Sequence, residues 1–319
     1  MAGVLRNDFT AAMQQDMYSW FWESFPEKPP VWAELFEVVP SRAAFEQFTS
    51  AIGLGELLEK PERQALEEEE PIESYTIVCK NRSFGRKVGF SYESVHDSQK
   101  GNLMEGTVRS WGPALDRTQE KFYAKFFNHG ALTAGHDVFD NALTGIVTDS
   151  TGKKIYDGQP FFAAAHPDKV GNTYANYVTT RALTHANLET SYLTYTTTNN
   201  RDERNYPIEL TPDVLLIPPA LKFTAAVILN TSLIPGSQDN DNNVLANIVD
   251  PLQWSYLSDT DGWFLGKKKM GLMATDREGT VLDFWMDEET KDYYASIFAR
   301  FGGAVTQWRY WMAFNIASS

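Results

Sequence analysis

A chain of 319 residues with 43% hydrophobic and 13% aromatic content holds enough apolar material for roughly two domains. Its formal charge of −14 speaks against sequence-independent DNA or RNA binding, which needs clustered Lys and Arg to displace counterions, and against anionic membrane surfaces. The single cysteine, Cys79, excludes an internal disulfide and fits a reducing compartment. No stretch is apolar for long enough to span a bilayer, and residues 1–22 carry Arg6, Asp8 and Asp16 where a secretory signal would be apolar.

From the N-terminus, Asn7 or Asp8 caps an amphipathic helix with Phe9, Met13, Met17 and Trp20 on one face. Pro26, Pro29 and Pro30 end it and keep the following chain extended. Residues 32–39 then read as a strand or an extended arm, broken at Pro40-Ser41. Such a helix on a proline-stiffened tether suits two uses, docking on a neighbour or packing on its own domain. Residues 54–73 are charged, with Glu67 to Glu70 consecutive, and read as a solvated loop. Residues 76–80 (TIVCK) and 87–92 (KVGFSY) alternate as strands around a turn at 81–85. Lys80, Arg82, Arg86 and Lys87 give this hairpin a basic tip over an acidic root, a distribution that suits either charge pairing with a neighbour or plain solvation.

The longest helical signal is 103–128, where Met104, Val108, Trp111, Leu115, Phe122 and Phe126 recur at three- and four-residue steps. Gly112-Pro113 predicts a kink in it. Asp157-Gly158 marks a turn, 160–164 an apolar strand and 172–177 a loop. Residues 183–195 read as a helix capped by Thr184, with Leu188, Tyr192 and Tyr195 on one face. Residues 213–217 form a strand. Pro218-Pro219 stops it and opens a helix over 220–230 carrying Leu221, Ala225, Ile228 and Leu229. Without glycine, hydroxyl or lysine in its turn, this corner is built for packing rather than for cradling a phosphate. Segments 263–265 and 270–274 flank a lysine-rich turn at 266–269. A strand at 281–286, an aromatic segment at 292–298 and a closing strand within 305–314 complete the chain.

Signatures of chemistry are weak. The five histidines are His96, His129, His136, His166 and His185, and none lies in an HExxH pair. His166 with Asp168 has the makings of a base and its orienter, though His-Pro-x-x is also a plain turn. His129, His136 and Asp137 share a loop and could touch a metal, or pack on the surface. Asp239, Asp241 and Asn243 match the first ligands of a calcium loop, with Asp250 at its last acid position. Val244 replaces the turn glycine and the bidentate Glu is missing, so a solvated acidic loop fits better. Cys79 has no evident base, and there is no nucleophile elbow, phosphate-binding loop or dinucleotide fingerprint. The residues therefore assign no catalytic, cofactor-binding or metal site and call for no cofactor.

The order of the parts carries more. It lies in Trp32 through Ser41-Arg42, and in the 75–92 hairpin running into Glu93, Val95 and Asp97. It continues in GQPFFAAAHP at 158–167, and in 215–230 with Ile248-Val249-Asp250-Pro251. In these the chain resembles the major capsid proteins of tailed bacteriophages, the Hong Kong 97-type fold, and is most similar to the Mu-like prophage major head subunit family. The resemblance implies an α+β fold with an N-terminal arm (1–54), an extended hairpin loop lying over a neighbour (55–92) and a peripheral domain with a long spine helix (93–205). An axial domain (206–290) follows, with 239–243 near the capsomer centre, and then a return to the peripheral domain (291–319).

The same resemblance implies a non-enzymatic protein that self-assembles into the hexamers and pentamers of an icosahedral shell around double-stranded DNA, without sequence-specific contacts. It implies assembly in the host bacterial cytoplasm, with a separate scaffolding protein, a portal and a decoration protein as partners and no membrane. Some members cross-link through Lys and Asn. Lys80 and Lys87 lie in the corresponding loop, but no partner for them can be identified. Charge suggests that Glu67 to Glu70 meet a neighbour's basic tip, and that Asp239 and Asp241 meet Lys267 to Lys269 around a ring. Two rival readings are an encapsulin-like nanocompartment of the same fold and a cytosolic hydrolase using His166 and Asp168.

Overall fold

The computed structural model describes residues 6–25, 28–52, 59–60, 62–63, 65–66, 68, 72–93, 103–140, 153–198, 201–234 and 241–316. Its first helices are α1 (Arg6–Glu23), α2 (Val31–Leu35) and α3 (Leu103–Asn128). The apolar stripe of α3 is why it stays helical for 26 residues; it runs unbroken through Pro113, so the expected kink does not divide it. Met17 and Phe21 of α1 are buried with Val108 and Trp111 of α3. The crossing is close enough that a Cβ on Gly112 would stand 2.3 Å from Ser24 Oγ. Of the two uses open to the N-terminal helix, the structure shows packing on its own domain. The expectation of a strand from Trp32 needs correction. Pro30 caps a helical turn, Trp32 stacks on Tyr123 at 4.4 Å, and the strand begins only at Glu37.

The first sheet contains β1 (Glu37–Pro40), β2 (Phe45–Ile52), β3 (Ile72–Phe90), β10 (Leu272–Met286) and β11 (Tyr293–Val305) in the order β1-β10-β11-β3-β2. The hairpin expected within 76–92 is absent, because β3 runs straight through 81–85 for 19 residues. Its real partners are β2, paired over Ile72 to Lys80, and β11, paired over Asn81 to Phe90. Asn81 sits where the partner changes and is fully engaged. Its amide donates to Ser41 Oγ at 2.6 Å and Ala43 O at 2.8 Å, while its oxygen accepts from Thr275 Oγ1 at 2.7 Å. No acceptor or donor is left over to nucleate a turn. Gly85 serves as floor for the Phe298 ring instead, with no positive φ.

Between these strands lie the paired β4 (His166–Pro167) and β5 (Thr173–Tyr174), and a second sheet. That sheet holds β6 (Tyr177–Val178), β7 (Val214–Ile217), β8 (Asp250–Gln253), β9 (Trp263–Gly266) and β12 (Trp311–Phe314) in the order β6-β12-β9-β7-β8. Helices α4 (His185–Thr197) and α5 (Lys222–Asn230) cover one face, α4 starting where Thr184 Oγ1 accepts from Asn187 N–H at 3.2 Å. All four residues of β7 are buried, as expected for a strand covered on both faces. Leu215 and Ile217 face α4 and α5, while Val214 and Leu216 face the α3 side.

Helix α3 thus lies between the two sheets. Its adjacent Phe126 and Phe127 serve different neighbours, Phe126 meeting Phe36 and Phe139, and Phe127 meeting Phe264 and Trp311 of the second sheet. Three strand expectations also change. Residues 160–164 are irregular, with 160–163 buried and held by Phe162 N–H to Gly130 O and Ala163 N–H to Asn176 Oδ1, both at 2.9 Å. The strand expected at 281–286 is the end of the much longer β10, and the aromatic segment at 292–298 mostly falls in the start of β11. The closing strand shortens to β12, which pairs with β9 and β6 rather than with the first sheet. No described helix is long and apolar enough to cross a membrane.

Candidate assembly surfaces

The sequence offered His166 and Asp168 as a catalytic pair. The fold separates their jobs. His166 is fully buried and stacks on Trp308 at 4.1 Å. Its Nδ1 lies 2.6 Å from Asp157 Oδ2, and its Nε2 lies 3.0 Å from Asn176 Oδ1. The Asn176 amide donates to Phe161 O and Trp311 O, at 2.8 and 3.1 Å, so its oxygen is the atom turned to the ring and accepts from Nε2–H. Asp168 instead accepts from Val170 N–H, Asn172 N–H and Asn172 Nδ2, fastening the turn between β4 and β5. With both ring nitrogens occupied and no solvent access, His166 ties three loops together and offers nothing to a substrate.

Three of the four charged groups expected at a hairpin tip are engaged inside the subunit, while Arg86 is exposed. Lys80 Nζ pairs with Asp140 Oδ2 at 3.0 Å and Arg82 with Asp137 at 3.0 Å, while Lys87 lies over the Tyr294 ring at 3.8 Å. The turn that would carry a projecting tip does not exist, because β3 runs through it; of the basic group suggested to meet Glu67 to Glu70 of a neighbour, Arg86 and Lys87 stay exposed, and Glu67, Glu69 and Glu70 lie outside the described residues. His129 and His136 do meet, stacked at 4.0 Å beside Asp137. Burial, then Lys125, lowers the His129 pKa; burial, then His129, lowers that of His136 to about 4. Among the described residues no group of three or more His, Cys, Asp or Glu could hold a metal ion. Asn243 of the suggested calcium loop is buried and donates to Ile228 O and Thr231 O, at 2.6 and 2.8 Å, so its amide serves the fold. Asp250 lies 3.4 Å from Lys268 of the same chain, which weakens the suggested role of that lysine between subunits; Asp239 and His96 lie outside the described residues. Cys79 is buried, and burial pushes its thiol up to about 11, so it is inert.

What remains for partners is surface of a different kind. Strand β2 and the first half of β3 form a two-stranded antiparallel ladder at the sheet's edge, from Phe45 opposite Lys80 to Ile52 opposite Ile72. At about 3.3 Å per residue, the 19 residues of β3 span roughly 60 Å. Phe45 and Phe48 of β2 are exposed. Helix α5 exposes Phe223 and Val227.

A sequence model of the phage capsid protein family matches residues 75–317. The chain belongs to that family. The fold agrees across nearly its whole length with solved capsids of very different sequence. The capsid of cyanophage P-SCSP1u superposes with a TM-score of 0.57 at 12% identity, covering 92% of this chain and 89% of that one. The mature capsid of bacteriophage PhiM1 gives 0.56 at 10%, covering 92% and 88%. The capsid of a native GTA particle gives 0.55 at 12%, covering 100% and 93%. No curated protein sequence matches the chain.

This phage capsid protein has the Hong Kong 97-type fold and is a structural subunit of an icosahedral shell, found in the virion capsid. Two parts of the capsid protein's surface escaped the sequence reading. Strand β2 had a signal, the β-prone run Phe45 to Ile52, but the charged loop after it drew the boundary elsewhere. The outer face of α5 also had a signal, Phe223 and Val227 falling away from Ala225, Ile228 and Leu229 on the helix. The partners of His166 had no local signal, since Asp157, Asn176 and Trp308 come from separate segments.

Proposed function

We propose that this chain is the major head protein of a tailed phage, building hexamers and pentamers around double-stranded DNA without sequence-specific contacts. The observation that carries the proposal is the β2–β3 ladder at the edge of the first sheet, where β2 has one unpaired side and exposes Phe45 and Phe48. We place assembly in the cytoplasm of the host bacterium, with a scaffolding protein, a portal and a decoration protein as partners. The formal charge of −14 fits a wall that repels packaged DNA and leaves it mobile. The role is architectural rather than catalytic, which fits the engagement of both His166 nitrogens. Kinship with the Mu-like head subunits is part of the same proposal.

The division into arm (1–54), extended loop (55–92), peripheral domain (93–205), axial domain (206–290) and return segment (291–319) is proposed with one shift. Sheet membership favours grouping 272–305 with α3 and the peripheral part, and 311–314 with the axial sheet. Negative-stain electron microscopy beside size-exclusion chromatography tests the reading. Closed shells, tubes or rings are expected. A monomer that persists at high concentration with scaffold added would overturn it.

A further inference from the structure

Helix α5 is apolar in two directions. Ala225, Ile228 and Leu229 are buried against the second sheet. On the opposite side Phe223 is 79% exposed and Val227 47%. Beside them lies an open hollow of about 490 Å³, walled by Leu183, Thr184, His185 and Ile234. A helix that is apolar all round belongs in an interior. A protruding phenylalanine next to an apolar hollow is half of a packed contact.

Charge indicates what supplies the other half. Residues 214–238 carry one charge, Lys222, in a chain with 28 basic and 42 acidic residues. Two copies at −14 repel each other wherever acidic groups face. They approach at least cost where a segment as long as 214–238 brings no acid of its own, and its lone Lys222 is drawn to an acidic neighbour. Nucleic acid finds no cationic cluster on this stretch to recognise.

We infer that the outer face of α5 is a contact between copies of this chain, with Phe223 of one subunit packed against apolar surface of a second. The inference rests on the reading of the chain as a shell subunit and adds the surface through which copies meet. Both side chains are exposed, so the test variants keep the fold. In the first experiment p-benzoylphenylalanine replaces Phe223 in the full chain, assembled particles are irradiated, and linked peptides are sequenced by mass spectrometry. Dimers with both peptides from this chain are expected. Links to another polypeptide only, or no dimers from well-formed shells, would overturn the contact. In the second, Phe223→Ser with Val227→Ser is expected to cut shell yield at least tenfold while the subunit's melting temperature stays unchanged. Normal shell yield from that variant overturns the contact alone, whereas a wild-type chain that stays monomeric overturns the shell reading and the contact together.

Discussion

Asp140 Oδ2 accepts from Lys80 Nζ at 3.0 Å, with the carboxylate wholly shielded from solvent and the lysine nearly so. Lys153 reaches the other oxygen at 3.4 Å. The cluster joins β3 to the residue after the 3-10 turn at 137–139. Removing one member of a buried pair strands the rest, at a cost of about 3–5 kcal/mol. Asp140→Ala is therefore expected to lower subunit stability by about 3 kcal/mol, read from urea unfolding of unassembled chain. Lys80→Met combined with Asp140→Leu should recover most of that loss. A single variant as stable as wild type would show that the cluster is solvated in solution.

Gly302 supports the same crossing by being small. A Cβ there would sit 2.2 Å from Lys80 O and 2.8 Å from Thr275 Oγ1. The first of these is backbone held in the β2–β3 ladder, next to the Asn81–Gly302 pair that ends the β3–β11 ladder, so it cannot swing aside. Overpacking of this kind costs about 1–3 kcal/mol, and Gly302→Ala is expected at the upper end. Gly279 provides the control, since nothing lies within 4 Å of a Cβ built there. Equal melting temperatures for Gly302→Ala and Gly279→Ala would contradict the close approach.

These two sites show where the sequence was readable and where it was not. Helix α3 could be bounded to the residue because its apolar period and the Asn128 to Gly130 stop are local. The strand–proline–helix unit at 214–230 was equally plain, since two prolines leave few alternatives. The long strand β3 was not. Asn81 to Gly85 has turn composition, and only partners far along the chain, Ser41, Thr275 and Phe298, turn those residues to other uses. Lys80 and Arg82 read as a basic tip for the same reason, because Asp140 and Asp137 lie well downstream. Placement among the capsid proteins survived these errors because it rested on the order of elements along the chain rather than on any one turn.

Acid should weaken the subunit through the stacked His129 and His136. Burial holds both rings below the ordinary imidazole value, His136 at about 4; Lys125 adds to this at both and Arg82 at His136, with Asp137 opposing. In the unfolded chain a histidine titrates near about 6.5. Between these values the unfolded state binds more protons than the folded state, so stability is fully present above about 6.5 and falls as pH drops toward 4. Solvent screening limits the effect to the order of 1 kcal/mol. His136→Phe keeps a ring in the stack and removes the proton site. Urea midpoints at neutral and mildly acidic pH should then differ less for the variant than for wild type; an equal drop would assign the acid sensitivity to other groups.

The test that separates architecture from catalysis is His166→Ala. The imidazole sits between Asp157 and Asn176 and under the Trp308 ring, and the Asp157 side chain is as buried as the histidine. Truncation leaves Asp157 Oδ2 without its partner, while Oδ1 keeps the Gln159 N–H, and opens a void against the indole. An orphaned buried acceptor alone costs about 1–3 kcal/mol, more when charged, so a loss of about 3 kcal/mol is expected. It should appear as a lower melting temperature of the subunit and a reduced yield of shells at elevated temperature, with shells that do form looking normal. A catalytic histidine behaves in the opposite way. Catalytic groups are held at some cost in stability, so their removal leaves the fold intact or firmer while activity vanishes. Full stability in the alanine variant would therefore count against the buried network and reopen the question of what His166 does.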